Sequence, residues 1–295
     1  MEENKTIPAP AANAKKKASK AVLRTRRICA VLLILLFVWW FNNYTIKTTK
    51  VTIRSEKVTS KVRIAVLSDQ HVTNLGISNK RIKKRIEKVC PDIVVILGDM
   101  YSSGSSRKLM QKPVELTKSI INSGYTVYFV NGEHDNDPKY ISSMKAAGAH
   151  VLDYKSEKIE INGNKLQLMG IDNVYYSDTF DLNNEFTLDR NCYNILLAHI
   201  PNYSKFAEFG ADLTLCADTH GCMIQLPFGL GPAYDTENDE WFPEMRHKDS
   251  EVYDKGLFKY DRGYMFITSG LGVSPAPIRF NNRPEVAVID IVPQK

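Results

Sequence analysis

Acidic and imidazole side chains follow five short apolar segments of the chain. Each segment has the length and the β-branched composition of a buried strand. The polar motifs after these segments are Asp69-Gln70-His71, Gly98-Asp99, Asn131-Gly132-Glu133-His134-Asp135, His199 and Asp218-Thr219-His220. Carboxylates and imidazoles are common ligands of divalent cations, and histidine is also a general acid or base near neutral pH. The pattern therefore predicts metal binding.

None of these motifs is specific by itself, but their combination is. An Asp after a strand is often a helix N-cap, and a Gly-Asp pair is typical of turns. However, four of the six histidines of the chain lie in these motifs. Imidazoles and carboxylates that converge without a counter-ion would be costly to desolvate. A pair of bound divalent cations removes that cost, so we predict a two-metal site.

The segments that carry the motifs alternate first with helices and then with other strands. Strand-like and helical patterns follow one another at 63–68, 78–90, 93–97, 112–124, 126–130 and 138–148. A hairpin at 158–171 and further strands at 194–198, 212–216, 264–270 and 285–292 favour a second sheet packed on the first. We therefore expect one α/β domain over 61–295, with helices outside the sheets. Ligands bind at the carboxyl ends of strands in open α/β sheets, which is where the motifs would meet.

The positive charge of the chain is confined to its N-terminus. Segment 1–27 contains eight basic and two acidic residues, which accounts for the whole net charge of +6. Its composition is typical of a disordered tail. The neutral remainder lacks the basic surface that binding to a phosphate backbone needs, which argues against a nuclease or another nucleic-acid partner.

An apolar segment follows this tail. Residues 28–41 carry no charge, and continuation to Ile46 gives a helix that approaches the thickness of a bilayer. With basic residues before it, the segment predicts a single-pass anchor in the cell membrane over 28–46, the tail being cytoplasmic and the domain outside. A cleaved signal peptide is the alternative, but no small-residue cleavage pattern follows. Residues 47–60 are expected to form a stalk.

The order and spacing of the motifs resemble those of the calcineurin-like metallophosphoesterases. The resemblance covers residues 63–225, and segment 270–291 resembles the end of the membrane-associated bacterial branch, which includes relatives acting on UDP-diacylglucosamine. The family implies a four-layer α/β/β/α sandwich, which here would be preceded by one N-terminal transmembrane helix.

The resemblance also assigns roles to residues of this chain. The implied metal ligands are Asp69, His71 and His220 for one ion, His199 for the other, and Asp99 as a bridge between the two. His134 would face the phosphate as a general acid or charge stabiliser, oriented by Asp135. Arg279 is expected to form an ion pair with Glu285 or a similar partner rather than to bind the substrate.

Two positions depart from the family pattern. Glu133 stands where the family has Asn, and Asp218 stands where it has His. Both would be ligands of the second metal and would add negative charge to Asp69 and Asp99. Anionic oxygen ligands favour Mn²⁺ or Mg²⁺ over Zn²⁺, so Mn²⁺ is the predicted ion, with Fe, Mg²⁺ and Zn²⁺ as alternatives. An alkaline-shifted pH optimum is also expected.

The reaction that the resemblance implies is hydrolysis of a phosphomonoester, a phosphodiester or a pyrophosphate by a metal-bridging hydroxide. The predicted location suggests a lipid-linked or cell-envelope phosphate as substrate, with the long stretch 232–262 as a specificity wall. The alternative is a degenerate, non-catalytic metal-binding module at the cell surface, because two ligands are altered. The His134-Asp135 pair favours an enzyme, since binding alone needs no proton donor.

Overall fold

The computed structural model describes residues 11–172, 180–235, 238–246, 252–273 and 276–294. It divides into two compact units, Met1–Phe41 and Asn42–Lys295. Parts of the sequence-based interpretation lie outside the described residues, namely 1–10 of the tail, 236–237 and 247–251 of the stretch 232–262, and 274–275 of the C-terminal segment.

The N-terminal unit is helical. Helix α1 runs from Ala11 to Tyr44 and so includes most of the segment that was expected to be a disordered tail. Residues 11–27 are rich in Ala, Lys and Arg, which are strong helix formers. Within the described part of the chain, the structure contains no helix that is both long enough and apolar enough to cross a membrane. The anchor at 28–46 therefore stays a prediction.

The second unit is built from strands and shorter helices. In chain order, the described strands are β1 (Lys47–Ser55), β2 (Val62–Leu67), β3 (Ile93–Ile96), β4 (Thr126–Phe129), β5 (His150–Val151), β6 (Lys155–Ile161), β7 (Asn164–Gly170), β8 (Tyr193–Leu197), β9 (Leu213–Cys216), β10 (Tyr234–Asp235), β11 (Glu240–Trp241), β12 (Gly256–Tyr260), β13 (Gly263–Ile267) and β14 (Glu285–Pro293). The helices after α1 are α2 (Asn79–Val89), α3 (Arg107–Ile121), α4 (Pro138–Ala146), α5 (Leu182–Glu185), α6 (Tyr203–Phe209) and α7 (Pro243–Arg246).

Two mixed sheets of six strands form the centre of this unit. The first has the order β1-β14-β2-β3-β4-β5 and the second has the order β12-β13-β9-β8-β7-β6. Strands β2, β3 and β4 are parallel to one another, as are β7, β8 and β9. The loops that leave the carboxyl ends of neighbouring strands therefore lie side by side in each sheet.

The layers follow from where the apolar residues are buried. Side chains of both sheets form one core between them, among them Val66, Val95, Leu168, Ile195 and Leu215. The outer face of the first sheet packs against α2, α3 and α4 through residues such as Ile82, Leu116 and Met144. The outer face of the second sheet packs against α5 and α6 through Leu182, Phe206 and Phe209. This arrangement confirms the α/β class and the order helix, sheet, sheet, helix.

Two expectations about the sheets are wrong. Residues 47–55 of the predicted stalk form β1, which pairs with β14 along its whole length, from Lys47 opposite Glu285 to Ser55 opposite Pro293. Strand β14 was assigned to the second sheet, but it lies in the first, between β1 and β2. Both errors concern pairings between the two ends of the domain, which local patterns do not report.

Local signals explain where the helices begin. Helix α3 begins at Arg107, earlier than the predicted 112, because Ser106 caps it and accepts a hydrogen bond from Leu109 N. Asp137 caps α4 and Pro138 occupies its first turn. These caps follow β3 and β4, so the loops between strand and cap hold the polar motifs near residues 99 and 133 in place.

Candidate dinuclear metal centre

The five motifs meet where the two sheets present the carboxyl ends of their strands. Asp99 Oδ2 lies 3.7 Å from His71 Nε2 and 3.4 Å from His199 Nε2, which joins loops of the first and second sheets. His199 Nε2 also lies 3.9 Å from Asp69 Oδ1 and 3.5 Å from Asp218 Oδ1. His71 Nε2 and His220 Nε2 are 3.2 Å apart. Motifs that are distant in the sequence therefore form one cluster.

The cluster contains overlapping sets of potential ligands. In each of three sets, one ligand atom per residue lies within 4.8 Å of the others: Asp69 with His71 and His220, Asp69 with Asp99 and His199, and His71 with Asp99 and His134. The first set is the one predicted for the first ion. The second set joins the predicted bridge, Asp99, to the predicted second-site ligand, His199.

The donor set fits divalent cations, because buried polar atoms at its centre lack partners. Both carboxylate oxygens of Asp69 and Nε2 of His199 are buried and have no hydrogen-bond partner of normal geometry. Both residues are fully buried. Leaving such atoms unsatisfied costs free energy, whereas ligation of a cation would satisfy them. The chemistry of these residues therefore matches a site for two metal ions.

Burial keeps two of the predicted histidine ligands in the neutral form that can bind a metal. Burial lowers the pKa of His71 to about 4, so its imidazole is neutral at physiological pH. Burial, with the positive charge of Arg279 next in size, holds the pKa of His220 well below its usual value. A neutral imidazole can offer a lone pair to a metal.

The pKa values of two buried carboxylates, Asp69 and Asp99, shift in opposite directions. Burial raises the pKa of Asp69 to about 8, with His199 opposing and Asp99 adding to the effect. Burial also acts to raise the pKa of Asp99, but its contacts with His199 and His134 outweigh burial and lower the pKa to about 2. Burial would lower the pKa of His199, yet the neighbouring carboxylates Asp218 and Asp99 place it well above the usual value. Without metal the cluster therefore retains protons that cations would displace.

The backbone around the ligands is tightly constrained. Five predicted ligands, namely Asp69, His71, Asp99, Asp218 and His220, have positive φ angles between 38° and 70°. Such conformations are uncommon for residues other than glycine and are found at functional sites. Gly132 allows a close approach, because a Cβ atom at this position would lie 2.2 Å from Asp99 Oδ1.

The environment of His134 differs from the expected one. Its Nδ1 lies 2.6 Å from Ser103 Oγ, and its Nε2 lies 3.7 Å from Asp99 Oδ2. Asp135 was expected to orient this ring, but its buried carboxylate accepts hydrogen bonds from Met100 N at 3.3 Å. The reason is that the buried N–H of Met100 needs an acceptor. Asp135 thus supports the loop after Asp99, and Ser103 contacts the imidazole.

Two further histidines have partners that the sequence did not indicate. Ser102 Oγ lies 3.0 Å from His71 Nδ1, and His199 Nδ1 donates to the Leu97 carbonyl at 2.6 Å. These contacts leave Nε2 of each ring facing the carboxylates. Ser102 and Ser103 were missed because serines in a loop are common, and no spacing rule marks them.

The two residues that depart from the family pattern take different positions. Asp218 lies at the second site, 3.5 Å from His199 Nε2, with about one third of its side chain exposed (33%). Glu133 is exposed at the wall of the adjoining cavity, and neither it nor Asp218 belongs to the three ligand sets found among the described residues. Asp218 is therefore placed to alter the charge of the second site, and Glu133 faces the cavity.

Arg279 is buried and hydrogen-bonds to backbone carbonyls near the cluster. Only 2% of this residue is exposed, and its guanidinium donates to the carbonyls of Ser269 and Gly272 at 2.6 and 2.7 Å. Glu285 instead accepts hydrogen bonds from Thr268 Oγ1 and Ser269 N. The expected ion pair is thus not formed among the described residues, since backbone carbonyls take up the guanidinium. Arg279 also lies 3.5 Å from His220 Nδ1.

A cavity of about 690 Å³ adjoins the cluster. The predicted ligands His71, Asp99 and His220 line it, together with His134. Its other lining residues include Met223, Ile224, Ala233, Trp241 and Ile278. The apolar part of this lining belongs partly to the stretch 232–262 that was predicted to be a specificity wall.

Fold and site together define a class. Two packed mixed sheets with acidic and imidazole ligands at their strand ends are the framework of a metal-dependent hydrolase. A family model described as calcineurin-like phosphoesterase matches residues 62–222, more than half of the chain, and the chain belongs to this family. The predicted family is thereby confirmed.

Two relatives that are named as metallophosphoesterases agree with this membership. The chain is 25% identical over 266 residues to the uncharacterized metallophosphoesterase YkuE of Bacillus subtilis, covering 85% of this chain and 87% of that protein. It is 26% identical over 271 residues to an uncharacterized metallophosphoesterase of Aquifex aeolicus, covering 85% and 93%. The solved structure of Haemophilus influenzae NAD nucleotidase aligns with a TM-score of 0.47 at 16% identity, covering 72% of this chain and 46% of that one.

Proposed function

We propose that this protein hydrolyses a phosphate ester with the aid of two divalent cations. The observation that carries the proposal is the set of buried, unpaired atoms on Asp69 and His199, which face the carboxylate of Asp99. Asp69, His71 and His220 would hold one ion, and Asp99, His199 and Asp218 would hold the other. Family membership supports this assignment.

The cations and the protein divide the chemistry between them. Two bound divalent cations would neutralise the charge of the phosphate and make water a stronger nucleophile near neutral pH. In hydrolysis, a bond forms from the water oxygen to phosphorus, the bond from phosphorus to the leaving oxygen breaks, and the leaving oxygen takes up a proton. The proposed donor of that proton is His134, which lies at the wall of the cavity. Ser103 holds its ring by the contact at Nδ1.

Mn²⁺ is the ion we propose. With Asp218 beside His199, the second site offers carboxylate oxygens where a histidine would be expected in the family, and hard oxygen ligands favour Mn²⁺ or Mg²⁺ over Zn²⁺. The same negative charge would reduce the acidity of a bound water, which supports an optimum at alkaline pH.

The location is proposed from the sequence of α1. Its residues 28–41 carry no charge and follow a basic segment, which supports an anchor with the domain outside the cell membrane. A domain in that place would meet lipid-linked or cell-envelope phosphates. Membrane extraction with alkaline carbonate and protease digestion of intact cells test this. Release of the chain by carbonate, or complete protection of the domain, would contradict it.

The activity is tested with the full chain and two aryl substrates. 4-Nitrophenyl phosphate and bis(4-nitrophenyl) phosphate are offered with EDTA, and then with Mn²⁺, Mg²⁺ or Zn²⁺ restored. We expect turnover of at least one substrate that EDTA abolishes and Mn²⁺ restores best. Asp99→Asn should lose this activity, whereas Lys88→Gln, on the exposed face of α2, should retain it.

A second candidate function is a metal-binding module without catalysis. The position of Glu133 outside the ligand sets favours it, because one family ligand would then have no equivalent at the site. Metal analysis separates the two functions. Bound metal without turnover of either ester would support the binding module, and metal-dependent turnover that His134→Ala removes would exclude it.

A further inference from the structure

The cavity beside the metal cluster contains more apolar surface than the phosphate chemistry needs. Met223, Ile224, Trp241 and Ile278 line it along with the ligands. None of the four side chains except the indole of Trp241 has a hydrogen-bond donor. They are therefore poorly suited to hold a free phosphate, whereas an aliphatic group gains from contact with them. Cavities of this volume, about 690 Å³, lie in the range of sites that enclose an organic ligand.

The four side chains, which we call the apolar wall, are held by a hydrogen-bonded backbone. Ala233 N donates to the carbonyl of Ile224 at 2.9 Å, and Phe242 N donates to the carbonyl of Ala233 at 3.1 Å. Phe280 N donates to the carbonyl of Met223 at 3.2 Å. Segments that are far apart in the chain are thus joined into one framework. These hydrogen bonds fix the backbone of the apolar wall, which lines the same cavity as the predicted metal ligands.

Two residues of the wall are largely exposed to solvent, Trp241 at 57% and Ile278 at 51%. Phe242 and Phe280, which are next to wall residues in the framework, are 39% and 46% exposed. The ring centroids of Trp241 and Phe242 lie 6.0 Å apart, so these two exposed side chains are neighbours. Exposed apolar side chains that cluster in this way mark a binding surface in soluble domains. The exposed apolar residues beside the cavity favour an extended group over a compact one.

We propose that the substrate is a phosphate ester with an aliphatic chain, whose phosphate binds at the metal cluster and whose chain lies on the apolar wall. The inference rests on the proposed function and names the substrate class of the same site. The two parts of the substrate would bind different surfaces. Cations at the carboxylates would attract the anionic phosphate, whereas the apolar wall carries no charge. Trp241 and Ile278 are then residues that determine specificity.

The test uses substrates that differ only in chain length. The full chain with Mn²⁺ is assayed with methyl, butyl and octyl 4-nitrophenyl phosphate, which share one leaving group. The corresponding n-alkyl phosphates are assayed in parallel by release of inorganic phosphate. All are used at concentrations at which light scattering detects no aggregates. We expect kcat/KM to rise at least about tenfold from the methyl to the octyl ester in the series that the enzyme accepts, because each buried methylene adds a favourable contribution.

Substitutions in the apolar wall test whether it causes the dependence of kcat/KM on chain length. Ile278→Ser and Trp241→Ser should lower the ratio of octyl to methyl kcat/KM toward one. Leu257→Ser is the matched control, since Leu257 is a partly exposed aliphatic residue on β12 that does not line the cavity, and the ratio should stay at its original value. Circular dichroism and the melting temperature establish that each variant is folded.

Binding gives a readout that does not depend on turnover. Calorimetry with butylphosphonate and octylphosphonate should show tighter binding of the octyl compound to the original chain, and Ile278→Ser should remove most of the difference. Equal kcat/KM values along the chain-length series, or an equal octyl preference in Ile278→Ser, would overturn the inference while leaving the proposed function intact. Absence of turnover in both series with every metal would overturn the proposed function and the inference with it.

Discussion

Ser103 Oγ lies 2.6 Å from Nδ1 of His134, the side chain proposed to give a proton to the leaving group. This contact, together with the hydrogen bond from His134 N to Asp99 Oδ1 at 2.9 Å, ties the residue to the loop that carries Asp99. A serine therefore takes the place that was predicted for Asp135. The Ser103 hydroxyl and the Ser103 backbone N–H both contact Nδ1, and together they can fix the orientation of the ring.

Ser103→Ala should lower kcat about tenfold and change KM little, because a freely rotating ring donates its proton less often in the right geometry. Ser103→Thr, which keeps the hydroxyl, should restore most of the activity. Ser105→Ala, in the same loop, is the control. An unaltered kcat in Ser103→Ala would show that the contact has no role in proton transfer.

Gly132→Ala should abolish metal binding rather than merely destabilise the fold. Its Cβ atom would lie 2.2 Å from Asp99 Oδ1, so the bridging carboxylate would have to move. Gly163→Ala is the control, because its Cβ atom meets no heavy atom within 4 Å and only the backbone, with φ of +77°, is strained. We expect the control to lose about 1 kcal/mol of stability and to keep its metal. Metal content after dialysis distinguishes the variants, and retention of metal by Gly132→Ala would contradict the geometry.

Asp135→Asn should stabilise the metal-free protein in a way that depends on pH. Burial, with a contribution from Asp99, raises the pKa of Asp135 to about 7 in the folded protein from an ordinary value of 3.8. The folded state therefore holds a proton that the unfolded state releases between these two values, and stability falls as pH rises through that window. Asn keeps an acceptor for Met100 N and does not titrate.

The melting temperature in EDTA measures this effect. The advantage of Asp135→Asn over the original chain should be absent near pH 4 and should grow until about pH 7, the folded-state pKa. Above that pH it should stay constant. A difference that is the same at all pH values would mean that Asp135 does not change its protonation on unfolding.

Asp218→His should shift metal preference from Mn²⁺ toward Zn²⁺. The side chain lies 3.5 Å from His199 Nε2, and the substitution replaces an anionic oxygen ligand by a neutral nitrogen. The ratio of the rate with Zn²⁺ to the rate with Mn²⁺ should rise about tenfold or more. Asp239→His, at an exposed position outside the cavity, controls for a general effect of the substitution. A ratio that does not change would remove Asp218 from the second site.

Much of the domain could be predicted from the sequence because its signals are local. The buried runs that became β2, β3, β8 and β9 are short and apolar, and each is followed two positions later by a motif residue. Parallel neighbours then bring those residues together, as the distances around Asp99 show. The residues that meet in the cluster could thus be predicted from strand ends and residue types alone.

The parts that could not be predicted depend on contacts between distant residues. Strand β1 has a mixed polar sequence, and its pairing with β14 joins positions more than two hundred residues apart. Sequential strands are usually neighbours, which is why β14 was assigned to the second sheet. Ser103 and Ile278 became significant only when the fold placed one beside His134 and the other in the cavity.

The central claim is that the cluster around Asp99 holds two divalent cations. Metal analysis of the full chain after dialysis against Mn²⁺ tests this claim most directly, with Asp69→Asn, His199→Gln and the surface variant Lys88→Gln treated in parallel. We predict about two ions per chain in the original protein and in Lys88→Gln, and fewer in the two ligand variants. No bound metal in the original chain, or equal metal content in all four proteins, would contradict the claim.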